Sequence, residues 1–117
     1  MTFYDNDGNP LFYTDDNEHL FDFDGEPLAY LSDDSIYDYD GNHLGWLDNG
    51  WIIDSDGDCL FFSDKASGGP FKPFKSFKPI KGVKSIKPIK GIKEIRPIKP
   101  IKSFSWSDIS FDDFFKL

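Results

Sequence analysis

Four Asp-x-Asp-Gly motifs supply the densest set of oxygen donors in the chain. They pair Asp5 with Asp7, Asp22 with Asp24, Asp38 with Asp40, and Asp54 with Asp56. Carboxylates two residues apart and followed by glycine can serve as the first and third ligands of a calcium loop. The bidentate Glu at the twelfth position of an EF-hand is missing, since that offset holds Asp16, Asp33, Asn49 and Lys65. Asp-Gly between short apolar runs is also the strongest local signal of a β-hairpin. Turn formation is therefore the preferred reading, and calcium binding by these eight carboxylates is the alternative.

The second chemically capable set is cationic. Residues 1–64 carry 17 carboxylates and no Lys or Arg, whereas residues 65–103 carry 12 Lys and Arg and one Glu. A regular row of lysines with aromatics nearby can bind a polyanion. The chain is nevertheless acidic overall, at −8, and an acidic half on the same chain both competes for those lysines and repels phosphate. Internal pairing is expected, and nucleic acid is disfavoured as a partner. No catalytic residue stands out: His19 and His43 occupy different repeat positions, Cys59 is the sole thiol, and no phosphate-binding glycine loop is present. Neither an enzyme nor a cofactor is expected.

The elements that carry these groups are repeats. Asp-x-Asp-Gly-x-x-Leu occurs four times, with its glycines at 8, 25, 41 and 57. With Asp-Gly as a two-residue type I′ turn, Tyr37 would pair with Leu44 and Ser35 with Trp46. The equivalent pairs are Phe21 with Leu28, Ile53 with Leu60, and Tyr4 with Leu11. That face also takes Tyr13, Tyr30, Trp46 and Phe62, and is expected to be the core. The other face holds Phe3, Leu20, Ile36 and Ile52. One hairpin is too small to be stable alone, so four must share a core. Pro10 and Pro27 suit a turn-adjacent or edge site rather than a central strand.

From Phe71 to Ser103 the chain repeats an apolar–basic–variable triplet eleven times. The triplets group into four nonamers opened by Pro70, Pro79, Pro88 and Pro97, which matches one nonamer to each hairpin. Period three fits neither a helix nor an alternating strand, and resembles polyproline II. The apolar stripe is expected to pack inward, and the basic stripe to meet hairpin carboxylates or solvent. Thirty-three residues at ~3.1 Å each would reach about 100 Å, far beyond a domain with a radius of gyration near ~13 Å. The track must therefore wind around or through the hairpin assembly or project as a stalk, and the matching fourfold repeats favour winding, with turns at Pro79, Pro88 and Pro97. In the tail, Ser110 with Asp113 fits a helix cap, and Phe111, Phe114 and Phe115 share a helical face.

The expected fold is all-β: four hairpins in a pseudo-fourfold wheel, completed by a PPII-like or strand-like Lys-rich track and a short C-terminal helix. Residues 1–117 form one domain in three parts, with the acidic hairpins at 1–64, the basic track at 65–103 and the aromatic tail at 104–117. This arrangement resembles the bacterial four-fold β-flower family. The resemblance rests on the hairpin repeats, the segment Ile36-Tyr37…Leu44-Gly45-Trp46-Leu47 and the Gly68-Gly69-Pro70 junction. It extends to the Lys-rich triplets ending near Arg96-Pro97-Ile98 and to Phe104-Ser105-Trp106-Ser107. It implies the fourfold all-β fold and no activity. A non-catalytic structural or protein-interaction role is expected, with an unidentified protein partner. No signal peptide or apolar run of membrane-spanning length is visible, so a cytoplasmic protein without membrane contact is expected.

Overall fold

A computed structural model describes residues 1–117 as eight strands closed into one antiparallel barrel. The strands are β1 (Thr2–Tyr4), β2 (Pro10–Tyr13), β3 (His19–Asp22), β4 (Pro27–Ser32), β5 (Ser35–Tyr37), β6 (His43–Asp48), β7 (Trp51–Ile53) and β8 (Cys59–Ser63). Each repeat is one hairpin, and β1 pairs with β8 to close the ring. Closure leaves no free sheet edge.

The Asp-Gly segments are turns of a different type from the one expected. Gly8 N–H donates to the Asp5 carbonyl, and Asp5 N–H donates to the Asn9 carbonyl, both at 3.0 Å. Asp22, Asp38 and Asp54 repeat this pattern. Within each tip only the glycine has a positive φ, between +80° and +96°. This is a three-residue loop ending in a left-handed glycine, a common hairpin alternative to the type I′ turn. The two-residue turn with consecutive positive φ lies elsewhere, at Asn49-Gly50 between β6 and β7.

The longer tip shifts the register beside it, and the face expected to be the core lies outside. Tyr37 pairs with His43 rather than Leu44, while Ser35 does pair with Trp46. Leu11, Leu28, Leu44 and Leu60 are each the extra residue of a bulge. They join or border the interior cluster. The barrel interior is built from the pairs Phe3–Phe12, Leu20–Ala29, Ile36–Gly45 and Ile52–Phe61. The face expected to be the core, with Tyr13, Tyr30, Trp46 and Phe62, lies in separate clusters on the outer wall. An eight-stranded barrel is just wide enough to be filled by side chains. Ala29 and Gly45 leave room there, and a Cβ on Gly45 would stand 2.9 Å from the Phe114 ring.

That ring belongs to α1 (Phe111–Phe114), a single turn that plugs the barrel. Ser110 caps it as expected, its hydroxyl accepting from Asp113 N–H at 3.1 Å. Pro10 and Pro27 open strands inside the closed ring because their slot sends its N–H outward. In the third and fourth repeats that N–H, from His43 and Cys59, donates to the Glu94 carboxylate and to the Ser105 carbonyl.

Residues 70–103 contain no helix or strand and make one lap around the barrel. The lap begins where Gly69 packs on Trp51 of the fourth hairpin. Ser76 then donates to the Gly8 carbonyl, Ser85 to Gly25, Glu94 to Gly41 and Ser103 to Gly57, at 2.8–2.9 Å. These crossings are nine residues apart, so one nonamer serves each hairpin. Lys102 Nζ returns to the Ser67 carbonyl at 3.4 Å and closes the lap. A PPII chain of this length would make a circle about 33 Å across, close to the 36 × 36 × 22 Å extents of the molecule.

Candidate functional site

The belt has three sides, and the period of three gives each a separate task. Backbone N–H groups of the third residues hold the hairpin tips. The basic residues turn toward the barrel wall and the segments between repeats. Lys81 and Lys84 both reach Asp15, at 3.0 and 2.9 Å, and Lys90 reaches Glu18 at 2.8 Å. Lys75 meets Asp64 at 3.0 Å, and Lys99 bridges Asp34 and Asp48 at 3.2 Å each. Arg96 also pairs with Asp34.

The same ammonium groups lie over the outer aromatic rings. Lys81 sits 4.3 Å from the Tyr13 centroid and Lys90 sits 4.4 Å from that of Tyr30. Lys84 is 5.0 Å from Phe21. Cation–π attraction and the four-carbon stems make lysine a suitable cover for an aromatic wall rimmed by carboxylates. Tyr13 and Tyr30 are accordingly buried.

The apolar stripe therefore faces away from the barrel, which corrects the expectation that it would pack inward. All eleven of its side chains, from Phe71 to Ile101, are between 87 % and 101 % exposed. The wall already has its cover, and the third side of the chain has no barrel surface left to meet. Eleven large apolar side chains in one fully exposed row are unusual, and exposed apolar surface gathered in one place marks interaction sites.

Acid should loosen the belt. The Lys84 and Lys81 ammonium groups hold the Asp15 carboxyl below the usual range, and Lys90 with the His19 charge does the same for Glu18. Burial pushes the Asp64 carboxyl up, but Lys75 and Lys78 outweigh it and leave it lowered. Carboxyls depressed on folding contribute stability above their ordinary pKa of about 4 and lose it as pH falls through the folded value. Amide-exchange protection at Gly82, Ser85 and Glu94 is thus expected to fall between pH 7 and pH 3. Unchanged protection factors at pH 3 would show that the ion pairs do not hold the belt.

The eight aspartates do not converge on one site. In each tip the first one braces the turn: Asp38 Oδ1 accepts from Asp40 and Asn42 N–H at 3.0 and 2.8 Å. The second of each pair, Asp7, Asp24, Asp40 and Asp56, is exposed. In the fourth repeat, oxygens of Asp54, Asp56 and Asp58 lie within 4.8 Å of one another. There Asp54 already accepts from two backbone N–H groups and from the Ser107 hydroxyl, and Asp58 accepts from the Ser103 hydroxyl.

One pairing escaped the sequence. His43 Nε2 lies 3.0 Å from Ser35 Oγ, a nucleophile and a base brought together across β5 and β6. Only the hairpin register, eight residues apart, signals it. Ser35 is fully buried, and the imidazole is packed against Tyr37 and Trp46. Burial lowers the His43 pKa despite the opposing charge of Glu94. His19 stands apart, bound to Asp16 at 2.8 Å. Burial pushes the Cys59 thiol up to about 11, so little thiolate forms near neutrality. A cavity of about 400 Å³ lies between the first hairpin tip and the tail, lined by Asp5, Leu11, Leu60, Trp106 and Phe111 among others.

Across residues 1–115 the chain matches the family model described as 4-fold beta flower protein. The chain belongs to the 4-fold beta flower family. Neither the curated proteins nor the solved structures include one that matches it. In this beta flower the petals are the hairpins, and the belt ties their tips together in chain order.

Proposed function

We propose that this beta flower is a non-catalytic interaction module whose working surface is the apolar side of the belt. The observation that carries the reading is the outward row of eleven apolar side chains. Its polar chemistry is spent internally. Most of the belt's cations are bound by carboxylates, carbonyls or ring faces of the same chain, which disfavours polyanion capture. The first Asp of each tip serves its turn, and the hydroxyl-bearing Ser35 of the Ser35–His43 pair is fully buried.

A photo-crosslinking amino acid placed at Ile89, compared with one at Asp24 on a tip, tests this in the native host. Specific adducts are expected from the belt position and not from the tip. Absence of belt adducts, or the same adducts from both positions, would remove the reading.

A further inference from the structure

The molecule has one cavity, and it breaks the fourfold pattern. Its volume of about 400 Å³ lies in the usual range for small-ligand sites. The first hairpin supplies Asp5, Asn6 and Leu11, the fourth supplies Leu60 and Phe61, and the tail supplies the rest. None of the lining residues belongs to the belt. The tail is the one part of the chain outside the fourfold repeats, so the cavity it walls has no counterpart at the other tips.

Two kinds of residue meet there. More than half of the lining is apolar, and Phe61, Trp106 and Phe111 are aromatic. The polar remainder includes the carboxylates of Asp5 and Asp108 and no Lys, Arg or His. Neither carboxylate is paired with a cation of the chain.

The fourth tip shows what the first one lacks. There Asp54 Oδ1 braces the turn, and Asp54 Oδ2 accepts from the Ser107 hydroxyl at 2.6 Å. At the first tip Asp5 Oδ1 braces the turn in the same way, at 2.9 Å. Asp5 Oδ2 has only Asn9 Nδ2, at 3.4 Å, beyond the usual length of such a bond. Ser107 and Asp5 both line the cavity. The tail thus donates to one tip and leaves the other without an equivalent donor.

We propose that the cavity binds an organic cation, an ammonium group carried on an apolar body, which donates to Asp5 and Asp108 and packs against the aromatic lining. A cleft lined by charge of one sign with apolar walls focuses its potential on the opposite charge. Aromatic faces attract the same cation. A calcium ion takes about six to eight oxygen ligands, which a mostly apolar lining serves poorly. A neutral apolar molecule would strip water from two carboxylates without replacing it, and both would repel an anion.

Titration of the full chain with phenethylamine, followed through amide chemical shifts, tests this. Saturable shifts are expected at Asn6, Leu11, Trp106 and Ile109, and not at Gly25 or Gly41 of the second and third tips. N-Acetylphenethylamine keeps the ring without the charge and should bind at least about tenfold more weakly. Methylamine keeps the charge without the ring and should also lose at least about tenfold. Asp108→Lys places a cation of the chain at the site and is expected to weaken phenethylamine by at least about tenfold. The melting temperature of that variant should be unchanged, since Asp108 is exposed and unpaired.

Equal binding of the free and acetylated amines overturns the proposal, as does undiminished binding to Asp108→Lys. Shifts spread over all four tips, or no saturable shift at millimolar amine, would do the same. Tighter binding of a lysine blocked at both backbone ends than of phenethylamine would assign the ammonium group to a side chain of a protein partner. The reverse order would assign it to a free amine.

Discussion

Alanine at Gly25 is expected to lower the melting temperature by roughly 10 °C, about 3 kcal/mol for a chain of this size. Gly25 has φ +93°, a region that costs other residues about 1–2 kcal/mol. Its Cβ would also stand 2.1 Å from the Val83 carbonyl oxygen and 2.7 Å from the carbonyl carbon. Both are backbone atoms, so no rotamer change relieves the collision and the belt must lift. Lifting endangers the hydrogen bonds from Ser85 to Gly25 and from Gly82 to Phe23, each worth about 1 kcal/mol net.

Gly68→Ala isolates the conformational part. Gly68 also has a positive φ, +68°, but its Cβ would meet only the flexible Lys102 Nζ at 3.0 Å. Thermal melts of the two variants should therefore differ by several degrees. Equal losses would mean that the belt crossing contributes nothing to stability.

The second large effect lies in the barrel interior. Phe61→Ala is expected to cost about 3–5 kcal/mol, the usual range for a buried Phe. Phe61 packs edge-on to Phe12, at 5.0 Å between centroids, and against Phe111, Phe114 and Phe115 of the plug. Its removal takes one wall from the plug as well as volume from the core, so α1 should detach before the barrel melts. With total stabilities of about 5–15 kcal/mol, a large part of the margin would go. Ile89→Ser, by contrast, should stay within about 0.5 kcal/mol, as exposed substitutions usually do. Chemical denaturation of both variants checks the contrast, and a belt isoleucine as costly as Phe61 would overturn it.

The contrast also marks what the sequence made legible. Four glycines and four prolines counted out the four hairpins and the four nonamers, because repeat counting needs no three-dimensional information. The length of an extended chain, set against a compact radius, left winding or a projecting stalk, and the matching repeat counts favoured winding. Ser110 and Phe111 announced the capped plug.

The side assignments were less legible, and for one physical reason in each case. At the tips, a three-residue loop and a two-residue loop both accept Asp-Gly. The extra residue turns Leu28 and Leu44 to the face of Leu20 and Ile36, which is the interior, and Tyr30 and Trp46 lie outside. In the belt, hydrophobicity argued for an inward apolar stripe. The outer wall, however, presents aromatic rings flanked by Asp15, Asp34 and Asp64, and for that surface Lys81 and Lys90 are better partners than Ile80 and Ile89. That preference cannot be read before the barrel face is known. The Ser35–His43 pair stayed hidden for the same reason, since it depends on register.

The outward direction of the belt's apolar stripe is the claim on which the rest depends, and one thiol measures it. Cys59, the only native cysteine, is buried and its thiol is raised to about 11. In Ile89→Cys, a disulfide reagent near neutral pH should therefore modify one thiol at nearly the rate seen in the unfolded chain, and leave Cys59 untouched until denaturant is added. If the new thiol is instead protected to the same degree as Cys59, the apolar stripe faces inward and the account of the belt is wrong.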